Sequence, residues 1–513
     1  MLLKRIFLSA GLVALCFCLC GCTSAGLPIT DAVPSVTLPP AEISFVAPIG
    51  DAALEYTEET VLHLPSHDGI SLTKVPVQVA YSPARPKAES LVRTLLSHSS
   101  GTEAASLGGD VRLSLYGKSP VEVSRDVVTV NLSASALQLD REAFYIVCQS
   151  IANTLTELED IRAVNILVVD KAVGLDIANT LPVGALQRST AQDLGAVYRQ
   201  LMSRRVESTD SAAQKPFSAN VTLYFPLAGT DGMVSEVRTM SFENQLLHDM
   251  VTHILRELAA GPAQEGIGSP ALPLLGDLLT STPTLTASDE TGGTILSLDF
   301  AHNLYDMLEA YQITKEQSMA SLCYTFCTFL PNLSGINVSI NGTPVESRYW
   351  TEDVEDETPN VLLRAQCWDR LYNYCTLYFV SEDEKTLVPS QRPIACFHSS
   401  NPRHLLRELS RGPQTYDSQP ALLPVMPKDA LRDTDMLGFA LSGETILANF
   451  APTFKKVLQA MEGPEEQLFA YSLVNTLCME ERIKNVCFFQ SGNQLDTFSG
   501  SIYWAGLFYP LPY

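Results

Sequence analysis

The chain has 513 residues, of which 46% are hydrophobic and 8% aromatic, as is typical of globular domains. At about 150 residues per domain this length indicates roughly three domains rather than one core. The formal net charge is −23, and such an acidic surface repels phosphate backbones, so nucleic-acid partners are not expected.

The N-terminus has the pattern of a targeting segment. Lys4 and Arg5 precede an apolar run of 14 residues, Ile6–Leu19, which leads into Leu19-Cys20-Gly21-Cys22. A membrane-spanning helix needs about 20 apolar residues, so the shorter run is typical of a secretory signal. The last four residues resemble a bacterial lipobox, which implies cleavage before Cys22 and lipid on its thiol. An ordinary secretory signal and an uncleaved anchor are the alternatives.

Polar stretches divide the rest of the chain. Residues 22–60 are rich in Thr, Ser, Pro and Ala and are expected to be a disordered tether between the lipid and the first domain. Residues 203–218 are polar, and residues 349–370 contain an acidic run, so both are predicted as linkers. The predicted domains are a signal peptide at 1–21 and three modules at 61–202, 219–348 and 371–513.

The first module is predicted to contain a hairpin, a helix and a closing strand. The hairpin strands are Val121–Val123 and Val127–Leu132, and the closing strand is Ala163–Val169. Between them, one helical face carries only apolar side chains: Phe144, Val147, Cys148, Ile151, Leu155 and Leu158.

The second module repeats this order behind an additional strand and helix. The strand is Asn220–Phe225, and the helix places an apolar stripe from Leu246 to Leu258 and ends at Gly261-Pro262. A hairpin, a second helix and a final strand follow, with these predicted positions: Thr284–Ala287 and Thr294–Asp299, Met319–Leu330, and Ile336–Ile340.

The third module copies the second. Arg256–Pro262 returns as Arg407–Pro413, 151 residues later, and Leu223-Tyr224-Phe225 returns as Leu377-Tyr378-Phe379. Ordered matches at nearly one offset indicate a duplicated domain. The corresponding elements are predicted at Cys375–Phe379, Pro402–Leu409, Leu437–Ala440, Thr445–Phe450, Glu465–Met479 and Ile483–Phe489.

The first module is a more diverged third copy. Its Asn153-Thr154-Leu155 corresponds to Asn475-Thr476-Leu477 of the third module, although the first module lacks Leu-Tyr-Phe and Gly-Pro. Each copy therefore has the order β-α-β-β-α-β. Two helices with one apolar stripe each can cover one face of a small sheet, so we predict an α+β fold of three tandem two-layer sandwich domains.

These motifs, in this order and with the lipobox, resemble the GerM (GerMN) domain family, named for a sporulation and spore-germination lipoprotein. The resemblance covers about residues 65–500 and implies a non-enzymatic, extracytoplasmic domain similar to ring-building modules of envelope assemblies. The sporulation protein of the family carries two copies, so a third copy sets this chain apart.

The sequence offers no catalytic or metal-binding pattern. Gly117-Lys118-Ser119 lacks the upstream glycine of a phosphate-binding loop and is interpreted as a turn. His248 and His253 lie on different helix faces. Asp299 is equivalent to Asn131 and Asn449, which cannot act as general acids, so a role in a turn or at a helix entry is predicted. In the repeated heptads we interpret Gly-Pro as a helix stop and the Arg-Glu pair as facing water.

Twelve cysteines are present, four of them in the signal. Cys323 and Cys327 are one helical turn apart, but no further ligands complete a metal site, and no cofactor is predicted. Cys367 could form a disulfide with Cys375 or with Cys396. The eight cysteines outside the signal are Cys148, Cys323, Cys327, Cys367, Cys375, Cys396, Cys478 and Cys487.

Three functional hypotheses follow. The first is a lipid-anchored assembly component, held through Cys22 on the extracytoplasmic face of the cell membrane. It would bind envelope or sporulation-complex proteins, and self-assembly is also possible. The second is a lipoprotein that binds cell-wall fragments or a small solute, for which Trp350, Trp368 and Trp504 offer little support. The third, a cell-wall enzyme, lacks any nucleophile, metal or carboxylate-pair signal.

Overall fold

The chain is an α+β protein made of three repeated modules. In this computed structural model the described residues are 45–102, 104–206, 215–227, 229–264, 268–272, 279–301, 303–310, 312–345, 360–414, 421–461, 463–480, 482–495 and 502–511. The predicted signal, Cys22, most of the tether and the acidic run 351–359 lie outside them.

Module 1 opens with a long hairpin rather than the single strand that we expected. Its elements in chain order are β1 (Tyr56–Pro65), β2 (Leu72–Tyr81), α1 (Lys87–Ser97), β3 (Val121–Ser124), β4 (Val127–Leu132), α2 (Arg141–Leu155), β5 (Ala163–Val168), β6 (Lys171–Ala172) and α3 (Leu194–Val206). Asp140 caps α2, since its carboxylate accepts from the backbone N–H of Ala143 (2.8 Å).

Module 2 has the same order with one additional short helix. Its elements are β7 (Phe217–Pro226), β8 (Met233–Phe242), α4 (Leu247–Ala260), β9 (Thr284–Ser288), β10 (Gly293–Phe300), α5 (Leu304–Ala310), α6 (Lys315–Phe329), β11 (Leu333–Ile340), β12 (Thr343–Pro344) and β13 (Leu362–Leu363). Gly261 ends α4 with φ of 81°, which confirms the predicted stop.

Module 3 follows module 2 element by element. Its elements are β14 (Tyr372–Val380), β15 (Leu387–Ala395), α7 (Pro402–Ser410), β16 (Met436–Ser442), β17 (Thr445–Phe450), α8 (Thr453–Gln459), α9 (Gly463–Leu477), β18 (Asn485–Gln490), β19 (Asn493–Gln494) and β20 (Leu507–Phe508). Asn401 caps α7, and Pro402 occupies its first turn.

Apart from the short helices α5 and α8 and the final helix α3 of module 1, each module has the order ββ-α-ββ-α-β. The predicted single opening strand is in fact one arm of an antiparallel hairpin. A second sheet follows the order β3-β4-β5-β6 in module 1. Its two central strands are parallel, as are β10 with β11 and β17 with β18. A parallel pair needs a crossover, and the long helix α2, α6 or α9, which we call the second helix of its module, supplies it.

The second helix is fixed to the opening hairpin by repeated polar contacts inside an apolar core. In module 1 the Ser150 hydroxyl donates to the carbonyl of His63, and in module 3 Ser472 donates to the carbonyl of Tyr378 (2.5 Å). His63 thus occupies the place of the tyrosine in Leu-Tyr-Phe. Module 1 therefore has Leu62-His63-Leu64 in place of Leu-Tyr-Phe, an equivalence that we did not predict from the sequence.

Regular elements extend into both predicted linkers. Helix α3 runs to Val206 and β7 begins at Phe217, so residues 203–206 and 217–218 of the predicted linker 203–218 are regular structure. Residues 360–370 of the predicted acidic linker contain β13, which pairs with β11 at Gly335 and Ile336. Equivalent closing contacts join Leu186 to Val164 in module 1 and β20 to β18 in module 3.

The repeated heptads receive an arginine from the opening hairpin. In module 2, Arg238 on β8 binds Glu257 (2.7 Å) and the carbonyl of Gly261 (2.5 Å). Its guanidinium also lies 5.3 Å from the ring of Phe225. The Arg-Glu pair was predicted to face water, and for the glutamate this was wrong.

Module 3 repeats this arrangement with a more deeply buried arginine. Arg392 on β15 binds the carbonyl of Gly412 (2.9 Å) and lies 3.5 Å from Glu408 and 5.3 Å from the ring of Phe379. The hairpin arginine, the phenylalanine of Leu-Tyr-Phe and the heptad are therefore one contact network. In module 1 the strand register places Val77 at the position of this arginine. Module 1 therefore lacks both the arginine and the heptad that it binds.

Replacing Arg392 should destabilise module 3. Arg392→Met leaves the Glu408 carboxylate and the Gly412 carbonyl without their buried donor, so we expect the free energy of unfolding to fall by about 2–4 kcal/mol. Urea denaturation followed by circular dichroism measures it. Arg411→Met is the matched control, since Arg411 pairs with the same Glu408 but its side chain is 48% exposed, and about 1 kcal/mol or less is expected. Equal losses for the two variants would contradict the assignment.

Candidate functional site at the junction of the modules

The sequence-predicted functional residue, Cys22, lies outside the described residues. Within the described ranges no helix is long and apolar enough to cross a membrane. The same ranges contain no group of three or more His, Cys, Asp or Glu that could hold a metal ion. The most distinctive chemistry in the described structure lies where the three modules meet.

A buried ion pair forms the centre of this junction. Glu122 on β3 of module 1 and Arg364, which directly follows β13, are 4% and 3% exposed, and their Oε2 and Nη2 atoms are 2.5 Å apart. The hydroxyl of Tyr324 on α6 donates to the other carboxylate oxygen (3.3 Å). The Arg364 guanidinium lies 4.2 Å from the Tyr324 ring centroid, within range of a cation–π contact.

The environment keeps the Arg364 guanidinium charged and the Tyr324 hydroxyl protonated. Burial opposes the charge on Arg364, but Glu122 and the nearby tyrosines outweigh it and raise the pKa of the guanidinium above its ordinary value. Burial, followed by the charge of Glu122, raises the pKa of Tyr324. Tyr324 therefore stays protonated and remains a hydrogen-bond donor.

Tyr324 occupies a repeated position that serves another purpose elsewhere. In module 1 the equivalent Asn153 binds both backbone groups of Ser189 (2.8 Å each). In module 3 Asn475 binds Leu511 in the same way (3.0 and 3.3 Å). Each asparagine thus fastens the C-terminal segment of its own module, whereas Tyr324 reaches into a neighbouring module.

Hydrogen bonds extend the junction to module 3. The Ser124 hydroxyl of module 1 donates to the carbonyl of Tyr372 (3.0 Å) and accepts from the N–H of Ser235 on β8 (3.1 Å). The side-chain amide of Asn373 donates to the carbonyl of Val123 (2.9 Å) and accepts from the N–H of Arg125 (2.5 Å). One strand end of module 1 therefore contacts both other modules.

An aromatic row borders the junction. Lys118, in the bend that we predicted at Gly117-Lys118-Ser119, lies 4.0 Å from the ring centroid of Trp368. Trp368 packs on Phe397 (5.1 Å between centroids). His398 stacks on His404 (3.3 Å), and burial, together with His398 and Arg407, lowers the pKa of His404 to about 4. These partly exposed rings join parts of all three modules.

The residues before β1 form an N-terminal strap, residues 45–54, on module 3. The N–H of Gly50 donates to the carbonyl of Leu437 (2.8 Å), and Asp51 forms a two-pronged ion pair with Arg403. A Cβ on Gly438 would lie 2.5 Å from backbone atoms of Gly50, so this close approach requires glycine. The part of the expected disordered tether that the structure describes is therefore folded.

Other residues singled out in the sequence have structural roles. Asp299, Asn131 and Asn449 accept from the N–H of Gly342 (2.8 Å), Asp170 (3.0 Å) and Gly492 (3.3 Å), which confirms their predicted role in turns. The Thr280 hydroxyl and the Gly342 amide hold the pKa of Asp299 below its ordinary value.

The cysteines outside the signal are all described, and each is a free thiol, so neither disulfide considered for Cys367 is present. Cys323 lies 3.9 Å from Cys327, and its thiol donates to the carbonyl of Leu362. Burial raises the pKa of Cys367 to about 12, which disfavours the reactive thiolate.

Comparison with a family model gives two matched regions. The Germane model, described as "Sporulation and spore germination", matches residues 61–174 and 376–496. They lie in modules 1 and 3, so the module that we expected to be the most diverged is among those matched. No curated protein matches the chain.

Solved structures give similar relatives at low identity. The tandem GerMN domains of the sporulation protein GerM from Bacillus subtilis are 18% identical, with 61% of this chain and 98% of that chain covered and a TM-score of 0.21. The first GerMN domain of the same protein is 20% identical, with 24% and 87% covered and a TM-score of 0.19. A candidate lipoprotein of Clostridium perfringens is 21% identical, with 27% and 87% covered and a TM-score of 0.18.

Breaking the junction from one side should destabilise the whole protein. Arg364→Met leaves the Glu122 carboxylate buried without a counter-charge, so the free energy of unfolding should fall by about 3–5 kcal/mol. The double variant with Glu122→Met should recover most of this loss, because no isolated charge remains. Urea denaturation measures both. The control is Arg162→Met, because the side chain of Arg162 is 82% exposed and lies 3.9 Å from Asp126. If Arg364→Met lowered the free energy of unfolding no more than this control does, the role of the pair would be contradicted.

Proposed function

Because the two matched regions make this chain a protein of the GerM-type domain family, we propose that it is a non-enzymatic assembly component of the cell envelope that acts in sporulation or germination. The observation that carries the proposal is the family match at both ends of one three-module body. The Glu122–Arg364 pair and the serine and asparagine contacts around it join the modules, so partners would meet a fixed arrangement of surfaces.

The polar groups of the repeats have structural rather than catalytic roles. Arg238 and Arg392 each bind a glutamate and a helix-terminal carbonyl. Asn131, Asp299 and Asn449 hold turns. Catalytic groups need access to substrate and pKa values matched to proton transfer, whereas these groups already serve the fold. We therefore assign the chain no reaction.

We further propose that the chain is held on the extracytoplasmic face of the cell membrane by lipid on Cys22. The pattern of Lys4 and Arg5, the apolar run and Leu19-Cys20-Gly21-Cys22 supports this. Two acyl chains give stable anchoring where one gives marginal binding. Partner proteins would then be found at the same membrane surface.

Replacing Cys22 should release the protein from the membrane. In wild-type cells we expect the chain in the membrane pellet, and the Cys22→Ala variant in the soluble fraction or as unprocessed precursor. Cys20→Ala is the matched control, because it alters a cysteine two positions away that the lipobox pattern does not modify. Mature Cys22→Ala protein retained in the membrane pellet as fully as the wild type would rule out the lipid anchor.

Crosslinking tests the assembly role directly. The tagged chain is crosslinked and purified from growing and from sporulating cells, with the Arg364→Met variant in parallel. We expect a defined set of envelope proteins, enriched in sporulating cells and reduced in the variant, since the variant loosens the arrangement of modules. The alternative of a ligand-binding lipoprotein would instead be favoured if no envelope protein were recovered from growing or sporulating cells and muropeptides stabilised the purified chain.

A further inference from the structure

Three equivalent strands form the outer edges of the second sheets. They are β3, β9 and β16, each the first arm of the hairpin before the second helix. The register makes Val123, Leu285 and Leu441 equivalent, since they pair with the core residues Val128, Leu296 and Ile446. An unpaired edge exposes backbone N–H and C=O groups that another chain can pair with.

Two of these edges are covered by other parts of the chain. On β3, the side-chain amide of Asn373 binds the carbonyl of Val123 and the N–H of Arg125. On β16, the strap supplies the cover, because Gly50 donates to the carbonyl of Leu437 and the N–H of Leu441 donates to the carbonyl of Ala53 (3.1 Å). Between these contacts Asp51 accepts from the N–H of Phe439 (3.0 Å).

In the part of the chain that the structure describes, no such segment covers β9. Alternate residues of an antiparallel strand direct their backbone groups toward the partner strand or away from it. Val123 and Leu441 direct theirs outward, so the equivalent Leu285 does the same, as does Ala287 two residues further on. Residues 284–287 are exposed, and the side chain of Leu285 is 45% exposed.

The β9 edge also lacks the usual protection. Natural edge strands carry charges, proline or bulges that prevent pairing. The strand Thr-Leu-Thr-Ala-Ser has no charge and no proline, and its pairing with β10 shows no bulge. Asp289 and Glu290, both exposed, follow directly. The edge is therefore an uncharged strand with one exposed leucine and with two acidic groups at one end.

We propose that the β9 edge binds an extended segment of a separate protein, which adds a strand to the sheet of module 2. This deepens the proposed assembly function and rests on it. The segment would place an apolar side chain against Leu285 and a basic residue near Asp289 and Glu290. The net charge of −23 favours a basic partner over a second copy of this chain.

Synthetic peptides test the edge with the purified full-length chain. The probe is a fluorescent heptapeptide of alternating Thr and Val flanked by Lys. It is compared with the same peptide flanked by Glu and with one carrying Pro in place of Val, which cannot donate backbone hydrogen bonds. In fluorescence anisotropy we expect saturable binding of the Lys peptide, binding of the Glu peptide weaker by about tenfold or more, and no binding of the Pro peptide.

Two variants locate the binding. Ala287→Pro removes an outward N–H while leaving the pairing with β10, and Leu285→Lys opposes the basic peptide; each should weaken binding by about tenfold or more. Leu246→Lys is the matched control, because Leu246 is 48% exposed but lies at the start of α4, and it should bind like the wild type. Thermal melting confirms that the variants remain folded.

The outcomes separate this proposal from the assembly function. Absence of Lys-peptide binding, equal binding of the Glu peptide, or binding unchanged in both edge variants would overturn the proposal. A wild-type dimer that Ala287→Pro dissociates would assign the edge to a second copy instead. If crosslinked envelope partners persist in Ala287→Pro cells, the assembly function holds and the β9 edge is not its site. If no envelope partner is recovered from wild-type cells, the assembly function itself is overturned.

Discussion

The buried pair between Glu122 and Arg364 is the constraint on which the arrangement of the modules depends. Removing two charges from water costs several kcal/mol each, so the pair is tolerable only with close geometry and further hydrogen bonds. Tyr324 supplies one of these and presents its ring to the guanidinium. The pair therefore requires the β3 edge of module 1, the second helix of module 2 and the segment leading into module 3 to meet at one point. Such a requirement specifies one arrangement among the many that tandem modules could adopt.

The three copies differ most where they touch one another. Within a module, a serine of the second helix or an asparagine near its end keeps the same task, as Ser150 and Ser472 or Asn153 and Asn475 do. At the junction, Tyr324 replaces the asparagine and gains contacts to Glu122 and Arg364. In modules 1 and 3 these polar contacts thus maintain the fold, and in module 2 the substitution at Tyr324 provides a contact between modules.

Much of the fold could be predicted from local pattern, while the junction could not. Helical stripes and hairpin turns identified the second helix and second sheet of each module, because those signals are local. The strand β8 was missed because its polar and charged residues obscure a strand pattern, and β15 because it contains two prolines. The strand β2 was overlooked although Val75, Val77 and Val79 alternate. Glu122 was missed because a glutamate between two valines is typical of a strand with one wet face, and its burial depends on another module. Arg238 and Arg392 could have been found, since they recur at the 154-residue offset of Leu-Tyr-Phe.

The strap connects the proposed anchor to the architecture in an unexpected way. Residues 45–54 lie on module 3, and Leu54 and Tyr56 belong to its apolar core, although β1 belongs to module 1. The 22 residues between Cys22 and Phe45 can span at most about 80 Å. A lipid on Cys22 would therefore keep the strap's side of module 3 within that distance of the membrane, with module 1 held to it through β1. Because the junction fixes module 2 relative to both, the same tether would also limit how far the open edge of β9 can lie from the membrane and restrict which envelope proteins can reach it.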